Sequence, residues 1–339
     1  MQTYANIPIR TVGAIRFSYA GKPAEEIRVP LATLETPLWH SVNRGARLSR
    51  MIESGIVTTL IKECMTRSIL FDTKNAATAY KIQQQIEVNL DELKSITQKT
   101  SDHTKLIDIF CEIVGRQFFL RLSFTTGDAA GHNMATAAAQ EIQNHLLQKH
   151  KELSYLSISA NICVDKKNSA INSILGRGKH VAAEIFIPQN LCELVLKTTP
   201  EKIVELNNKK NLLGSILAGS ICSANAHYAN MLLAFYLATG QDAANIVEGS
   251  QGITSAELIN GELYFSVNLP NIIIGTIGTG KNLPYAQNNL KLLGCQNDDA
   301  KKLASIAAAT VLCGELSLLA AQSNPGELMR AHKRLERKR

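Results

Sequence analysis

Residues Asn161 to Lys179 read NICVDKKNSAINSILGRGK, a stretch in which an apolar segment runs directly into an aspartate and two lysines. The alternating, β-branched run from Tyr155 to Val164 predicts a strand, so Asp165, Lys166 and Lys167 are expected on the loop that leaves it. Loops held by rigid strands often carry functional residues. A solvated basic turn is the competing interpretation, and the rest of the chain has to decide between the two.

The composition predicts a globular protein of the α+β class. The chain has 339 residues, of which 45% are hydrophobic and only 5% aromatic. This length allows two domains, or one large domain with an insertion, and small aliphatic residues favour helices packed against a sheet. The seven cysteines form no CxxC or Cys/His cluster, which predicts a reducing compartment and no metal site. The first residues lack a signal-peptide pattern, so we expect a cytoplasmic protein.

The net charge of +7 indicates an anionic partner or simply solubility, and much of it comes from the tail Arg330 to Arg339. Nucleic acid is one candidate, although the chain shows no aromatic RNA-binding signature and no zinc-finger spacing. A polyanionic small molecule explains the charge equally well.

Helical and strand patterns alternate in the segment 69–158, which predicts a compact α+β unit of roughly ferredoxin-like size. The predicted elements are a helix Ala76–Thr97, strands Leu106–Val114 and Gln117–Phe124, and a helix Met134–His150. The turn TTGDAAGHNM, Thr125 to Met134, could bring backbone donors to a pyrophosphate. It lacks GxGxxG, so an ordinary helix-capping turn remains the alternative.

The remaining segments predict strands and helices on either side of this unit. Near the N-terminus, Asn43, Arg44 and Arg47 are expected close to the start of a helix, where they would suit a phosphate or form a solvated face. Glu35, beside Pro37 and Trp39, lies in an apolar setting. The other predicted elements are strands Ile7–Phe17, Ile27–Leu31, Val181–Pro188, Glu262–Leu269 and Ile272–Ile277, and helices Leu191–Lys197, Glu201–Asn207 and Lys301–Gln322.

The segment Asn211 to Gln241 carries no formally charged side chain. Its length could span a bilayer. Polar residues in its middle and its small residues favour a helix buried inside the protein, ending at a glycine cap, Gly240.

The loop GTIGTGKN, Gly275 to Asn282, satisfies GxxxxGK but has Asn282 where a P-loop needs Ser or Thr for magnesium. The sequence after it gives no clear helix start. A nucleotide triphosphatase is therefore disfavoured, and a glycine turn beside a dinucleotide or a packed backbone remains open.

Seven motifs occur in order over almost the whole chain: LETPLWHSVNRGAR, GDAAGHNM, DKKNSAIN followed by GRGK, KNLLGSILAGS, NAHYANMLLAFYLATGQD, IGTIGTG and CGELSLLAA. Together they resemble the motifs of 3-hydroxy-3-methylglutaryl-coenzyme A (HMG-CoA) reductase. The resemblance implies a larger, mainly helical substrate, CoA-binding and dimerisation domain (1–68 and 159–326), an inserted ferredoxin-like NAD(P)-binding domain (69–158) and a flexible C-terminal flap (327–339).

The resemblance implies a four-electron reduction of HMG-CoA to mevalonate and free CoA in the isoprenoid pathway. Lys166 matches the catalytic lysine that stabilises the thioester oxyanion, and Glu35 matches the acid that protonates the aldehyde. Asp242 matches the aspartate between these groups, which would couple their titrations. His332 matches the histidine of the mobile flap that protonates the departing thiolate.

Binding residues follow from the same matching. For the HMG group they are Arg67, Ser159, Asp165, Lys167, Lys210 and Asn230. For CoA, whose phosphates would explain the basic charge, they are Tyr4, Ser41, Asn43, Arg44, Lys197 and His227. For the nicotinamide cofactor they are Ser101, Asp102, Asp128, Gly131, Asn133 and Gly278. The family also implies a homodimer or a higher homo-oligomer with sites at the interface, and neither nucleic acid nor a membrane as partner.

Three departures from the family pattern concern the cofactor. Ala130 and His132 stand where methionines are usual, and Thr279 stands where glycine is usual. Asp102 falls where the family has an arginine that reads the 2′-phosphate of NADPH. A carboxylate there would repel that phosphate and accept hydrogen bonds from a 2′-hydroxyl, which predicts a preference for NADH. The alternative function, from a different class, is a phosphate-binding regulatory or nucleic-acid-binding protein that uses GTIGTGKN and the basic tail.

Overall fold

The computed structural model describes residue 3 and residues 5–335, except the side chains of residues 331, 332, 334 and 335. Within these residues nine strands form one mixed sheet: β1 (Ile9–Tyr19), β2 (Glu25–Ala32), β3 (Ile56–Asp72), β4 (Lys105–Val114), β5 (Gln117–Thr125), β6 (Ser154–Ile158), β7 (Gly178–Ile187), β8 (Ile253–Ile259) and β9 (Glu262–Ile272). The α-helices of the same part of the chain are α1 (Thr36–Arg50), α2 (Ala76–Val88), α3 (Leu90–Gln98), α4 (His132–Lys149), α5 (Ala170–Leu175), α6 (Gln189–Leu191), α7 (Pro200–Leu206), α8 (Ser215–Leu217), α9 (Tyr228–Ala238), α10 (Ile246–Gly249), α11 (Pro284–Leu292), α12 (Ala300–Gln322) and α13 (Glu327–Leu335). Cys192–Leu196 and Asn207–Gly214 are π-helical, and Ala243–Asn245 is a 3₁₀ turn.

The strand β3 organises the molecule because it belongs to two runs of strands. Its first part pairs in parallel with β1 and antiparallel with β7, and its last part pairs antiparallel with β5 and β6. One run has the order β2-β1-β3-β7-β9-β8, and the other has the order β4-β5-β3-β6. A strand of 17 residues is well above the usual five or six.

The first run carries the larger hydrophobic core, which surrounds α12. Gly45 of α1 lets the two helices approach closely, since a Cβ at this position would lie 2.4 Å from the carbonyl oxygen of Cys313. The helix α12 is long and apolar enough to cross a membrane, yet 94% of its apolar window is buried in the protein, as in a core helix. The expectation of a mainly helical large region is wrong in one respect, since a six-stranded path of the sheet forms its centre.

The second run carries a separate core, to which Phe71, Phe118 and Ile142 contribute. Helices α2, α3 and α4 connect its strands, so the chain passes through β3, α2, α3, β4, β5, α4 and β6 in that order. The single helix predicted for residues 76–97 is interrupted at Asn89, whose side-chain amide donates to the carbonyl of Gln85 at 2.7 Å. That bond ends α2 by the local competition typical of asparagine.

The segment predicted to be one long charge-free helix is instead divided. It comprises the end of the second π-helix, α8, an irregular stretch from 218 to 227, and α9. The cap predicted at its end is confirmed: Gly240 has φ 67°, and the N–H of Gln241 donates to the carbonyl of Tyr236 at 2.9 Å, which is a Schellman arrangement.

Two strand predictions also need correction. The strand expected at Tyr155–Val164 ends at Ile158, because Asn161 and Val164 have φ of 58° and 38° and cannot continue an extended ladder. The pair expected at 262–277 is the single strand β9, which pairs with β8, a strand that the sequence analysis missed.

Candidate active site

The loop between β6 and α5 carries Asp165, Lys166 and Lys167, as predicted. The ammonium of Lys166 lies 2.7 Å from Oδ2 of Asp242, on the loop after α9. The other oxygen of Asp242 accepts from the N–H of Ala244 at 3.0 Å and so caps the 3₁₀ turn that follows. The carboxylate is thus held at one oxygen and presented to the lysine at the other.

The pair of Lys166 and Asp242 is charged over the neutral pH range. The hydrogen bond with Asp242 raises the pKa of Lys166 above its ordinary value, against a smaller opposing effect of burial. Partial burial alone would raise the pKa of Asp242, but the hydrogen bond from Lys166 and the Ala244 N–H outweigh it and the net direction is downward. Both side chains keep 40–50% of their surface exposed, so the ammonium remains accessible to a substrate.

Directly beneath this loop lies a buried pair, Arg177 and Glu248, which are 1% and 0% exposed. The guanidinium donates to Oδ1 of Asp165 at 2.7 Å. Burial would raise the pKa of Asp165, but the nearby imidazole of His132 and the guanidinium of Arg177 outweigh it and hold this pKa well below its usual range. Nε2 of His132, at the start of α4, lies 3.6 Å from Oδ1 of Asp165.

The other predicted HMG-binding residues of this region surround the same loop. Arg67 on β3 donates through Nε to the hydroxyl of Thr136 at 2.9 Å. Lys167 donates to the carbonyl of Asp165 at 3.1 Å, and the hydroxyl of Ser159 lies 3.2 Å from the sulfur of Cys163. We use the name lysine cluster for the predicted residues of this region: Arg67, Ser159, Asp165, Lys166, Lys167 and Asp242.

A cavity of about 750 Å³ lies between α1, α9, α12 and α13. Five predicted residues line it: Glu35, Ser41, Arg44, His227 and Asn230. Glu327, Leu328 and Arg330 of α13 form one side of the cavity. Glu35 is exposed and lines this cavity, beside apolar residues that include Pro37 and Leu38. We call the five residues the cavity cluster.

The polar groups of the cavity cluster are ordered by a chain of hydrogen bonds. The amide nitrogen of Asn230 lies 3.1 Å from Oε2 of Glu35 and 3.3 Å from Nδ1 of His227. Nε2 of His227 lies 2.9 Å from the carbonyl of Gly314. Since a carbonyl only accepts, Nε2 carries the proton and Nδ1 accepts from Asn230. Glu35 and His227 are therefore held by a common partner.

The carboxylate of Glu315, fully buried in α12, shapes this wall. It accepts from the N–H groups of Ala226 and His227 at 2.6 and 3.0 Å, and from the hydroxyl of Thr254 at 2.9 Å. Burial lowers the pKa of nearby Lys210, an effect that the charge of Glu315 opposes. The carboxylate of Glu315 thus fixes the start of α9.

Some of the predicted CoA-binding residues do not lie where the sequence analysis expected them. Asn43 lies in the middle of α1, not at its start, and its side chain accepts from the N–H of Gly13 at 2.5 Å. Arg44 is also mid-helix and donates through Nε to the hydroxyl of Ser317 at 2.9 Å. Lys197 is exposed and is not among the cavity-lining residues. Tyr4 and the side chain of His332 lie outside the described residues.

The lysine cluster and the cavity cluster meet opposite ends of α9, since Asn230 lies in its first turn and Asp242 lies on the loop after its last residue. Among the described residues, no hydrogen bond or ion pair joins a side chain of one cluster to a side chain of the other. Of the three predicted catalytic residues whose side chains are described, Lys166 pairs with Asp242, whereas Glu35 bonds to Asn230.

The predicted cofactor residues lie on turns that pack together. The backbone of Asp128 accepts from Thr276 at 2.9 Å, and Ala129 forms a bridge with Ile277. A Cβ on Gly127 would lie 3.7 Å from the Cβ of His103, the residue after Asp102. The turns at 101–103, 125–131 and 275–280 thus form one surface, which includes the N-terminus of α4 and its cap Gly131 (φ 91°). The carboxylate of Asp128 is already used, since it accepts from the N–H of Ala300 at the start of α12.

The loop GTIGTGKN packs its glycines against backbone. A Cβ would lie 2.6 Å from the nitrogen of Ala130 at Gly275 and 2.4 Å from the carbonyl oxygen of Gly240 at Gly280, whereas Gly278 faces open space. The expectation that no helix follows is wrong, because α11 starts at Pro284. Lys281 is 5% exposed, and burial lowers its pKa while the charge of Asp242 opposes this. The packed-backbone interpretation therefore holds for two of the glycines.

The family model for hydroxymethylglutaryl-coenzyme A reductase matches residues 1–337. The chain belongs to the hydroxymethylglutaryl-coenzyme A reductase family. It is 45% identical to the 3-hydroxy-3-methylglutaryl-coenzyme A reductase of Pyrococcus horikoshii, over 98% of this chain and 81% of that protein. It is 42% identical to the enzyme of the same name from Methanocaldococcus jannaschii, over 98% of this chain and 82% of that protein. These matches confirm the predicted family and the predicted enzyme class, an oxidoreductase, and give no support to the regulatory or nucleic-acid-binding alternative.

The fold agrees with solved structures of the family. The NADPH-bound class II reductase of Streptococcus pneumoniae in open conformations superposes with a TM-score of 0.76, at 19% identity, over 96% of this chain and 78% of that one. The α+β prediction is thereby confirmed in its coarse form, a mixed α/β architecture built on a mixed sheet. The sequence analysis did not assign a role to Arg177, Glu248 or Asn245. Arg177 could have been found, because it is the arginine of the GRGK motif.

Proposed function

We propose that the protein reduces the thioester of HMG-CoA to the primary alcohol of mevalonate, with release of free CoA. The observation that carries this proposal is the ion pair of Lys166 and Asp242 at 2.7 Å, on the loop that holds the family's DKK motif. A fixed ammonium beside a carbonyl oxygen stabilises the oxyanion that forms when a hydride adds to the carbon. The ammonium can do this for the thioester and again for the aldehyde.

Two protons complete the reaction, and the proposed donors lie in the cavity cluster and on α13. Glu35, bonded to Asn230, would protonate the oxygen of the aldehyde as it becomes the alcohol. His332 would protonate the departing CoA thiolate. Ser41, Arg44 and His227 on the cavity wall suit the polar chain of CoA, and α13 suits the proposed flap because it forms one side of the same cavity.

A nicotinamide cofactor fits the surface formed by the three turns. The open space at Gly278 and the left-handed Gly131 before the 18-residue helix α4 leave room and free N–H groups for a pyrophosphate. Ser101, Asp102, Gly131, Asn133 and Gly278 would hold it. When bound, the reduced nicotinamide supplies the hydride, and two equivalents are needed for each thioester. Asp102 supports our proposal that NADH is preferred over NADPH.

We also propose that the working unit is a homodimer or a larger homo-oligomer, with each site shared between two chains. The separation of the lysine cluster from the cavity cluster supports this, because the chemistry needs Lys166 and Glu35 around one substrate. An exposed apolar face supports it as well. This face comprises Leu213, Ile216, Leu217 and Ile221, which are 62%, 75%, 87% and 51% exposed.

The proposed domains are 1–68 with 159–326, an inserted cofactor domain 69–158, and the flap 327–339. The two hydrophobic cores and the strand order β4-β5-β3-β6 support a ferredoxin-like insertion. We propose a cytoplasmic location, in keeping with seven unpaired cysteines, which suit a reducing compartment.

The test is oxidation of NADH and NADPH, followed by absorbance, with HMG-CoA as substrate and free thiol measured in parallel. We expect two cofactors to be oxidised for each CoA released. A folded, oligomeric protein that oxidises neither cofactor would refute the proposal.

A further inference from the structure

The backbone around the proposed catalytic lysine adopts a conformation that its own sequence does not favour. Lys166 has φ 56° and Val164 has φ 38°, in the left-handed region that residues other than glycine rarely adopt. Neither residue is glycine, asparagine or aspartate, so contacts from outside the loop must hold this conformation. These contacts determine where the ammonium of Lys166 points.

The first of these contacts comes from Glu248 on α10. Its Oε1 accepts from the backbone N–H of Lys166 at 3.1 Å and from the side-chain amide of Asn245 at 3.0 Å. Glu248 is fully buried, and burial raises its pKa against the opposing effect of these bonds and of Arg177. A buried carboxylate that binds a backbone N–H of the reactive loop is a positioning contact, since Glu248 is not exposed to a substrate.

The second contact comes from Arg177, the arginine of GRGK. It bonds to Asp165, the residue before Lys166, through Nη2 at 2.7 Å, and to the carbonyl and hydroxyl of Thr66 on β3 through Nη1 at 2.8 and 2.9 Å. Its Nε lies 3.6 Å from Oε1 of Glu248 and has no hydrogen-bond partner among the described residues. Arg177 therefore connects Asp165 and Glu248 to the strand β3.

We propose that Arg177 and Glu248 are positioning residues for the reaction, which together hold both ends of the peptide between Asp165 and Lys166. Arg177 fixes the side chain on one side of this peptide, and Glu248 fixes the N–H on the other. The left-handed turn at Lys166 then places its ammonium 2.7 Å from Asp242. This inference rests on the proposed function, because it assigns to the pair an effect on the chemical step.

The charge of Glu248 has a second effect. It lies close enough to the ammonium to help raise the pKa of Lys166, after the larger contributions of Asp242 and Asp165. The other charged or titratable groups around the Lys166 ammonium come from several elements. They are Asp165 and Lys167 on the same loop, His132 on α4, Arg177 just before β7, Asp242 on the loop after α9, and Lys281 in the loop GTIGTGKN. Removing the carboxylate charge should therefore make the lysine lose its proton at lower pH.

The experiment measures kcat, KM for HMG-CoA and the pH profile for wild type, Glu248→Gln and Glu248→Ala. We expect Glu248→Ala to lower kcat about 100-fold, the usual effect of a displaced catalytic group, with KM changed by less than about threefold. Glu248→Gln keeps an oxygen that can accept from the Lys166 N–H, so it should recover most of that loss. Its alkaline limb should still move to lower pH.

The matched control is Glu63→Gln, which removes the charge from another ion pair, one whose lysine is buried. Glu63 lies 3.1 Å from Lys179, which is 3% exposed, and makes no described contact with the loop 164–167. It should lower thermal stability while leaving kcat and the pH profile unchanged. Wild type without HMG-CoA reductase activity would refute the proposed function. An active wild type together with a folded Glu248→Ala of unchanged kcat would refute the positioning role. If Glu248→Ala does not fold, an unchanged alkaline limb in folded Glu248→Gln would overturn the proposal, because that variant keeps the hydrogen bond and removes only the charge.

Discussion

Replacing Glu315 should weaken the protein more than its single position in a 23-residue helix suggests. Its carboxylate accepts three hydrogen bonds in a fully buried site, two from the backbone before α9 and one from Thr254. In Glu315→Gln one oxygen becomes an NH₂ group, which faces the N–H of His227 and leaves that donor unpaired. An unpaired buried donor costs about 1–3 kcal/mol, and each bond to a charged acceptor contributes a similar amount.

We therefore expect Glu315→Gln to lower the free energy of unfolding by about 3 kcal/mol. For a chain of this size the melting temperature should fall by about 4 °C. Differential scanning calorimetry at fixed protein concentration measures this, and fixed concentration matters because assembly also stabilises the fold. KM for HMG-CoA should rise in the same variant, because the freed segment carries His227 and Asn230.

The control is Glu184→Gln on the sheet surface, where the carboxylate accepts one bond, from the hydroxyl of Tyr264 at 2.7 Å. This change should cost no more than about 1 kcal/mol. If Glu315→Gln melts within about 2 °C of wild type, the carboxylate does not support the start of α9 and our interpretation of this wall is wrong.

Three further predictions concern the proposed site. Asp102→Arg should shift the ratio of kcat/KM for NADPH over NADH upward by at least about tenfold, since it replaces repulsion of a 2′-phosphate by a charge-assisted bond; an unchanged ratio would place the 2′-position elsewhere. Leu217→Asp should reduce both assembly and activity, measured by analytical ultracentrifugation and turnover, because it puts a charge on the exposed apolar face; an active monomer would contradict the shared site. Asp242 titrates below its ordinary 3.8 and Lys166 above its ordinary 10.5, so this pair should cause no loss of kcat between roughly pH 5 and 9. In Asp242→Asn the residual activity should decline at lower alkaline pH than in wild type, because the main group that raises the pKa of Lys166 is gone.

The sequence predicted the elements whose signals are local. The strands β4 and β5 and the helices α4 and α12 follow from periodicity, and the cap at Gly240 follows from the need for a left-handed residue after α9. The strand predicted to continue to Val164 ends at Ile158. Long-range hydrogen bonds from Glu248 and Arg177 hold the following loop in a conformation that the local sequence pattern does not indicate. Strand β8 was missed for a related reason, since its pairing with β9 is what defines it.

For the site, the motifs identified the residues but not their grouping. Lys166 and Asp242 are 76 positions apart, and Glu35 and Asn230 are 195 apart. Such pairings are set by how α9 and the sheet pack, which the spacing of charges along the chain does not reveal. The division into a lysine cluster and a cavity cluster therefore emerged only from the structure.

The shared strand β3 sets the limits of any dissection of this protein. One continuous strand pairs with both strand runs, so a fragment that began at residue 69 would keep only residues 69–72 of β3. It would lose residues 65–68, which pair with β5, and would leave that part of β5 as an exposed edge. Neither half is expected to fold as an independent piece. Thermal unfolding should then proceed as one cooperative event in which both hydrophobic cores unfold together. The segment 69–158 would be an insertion in the sequence, but it would not fold or unfold independently of the rest of the chain.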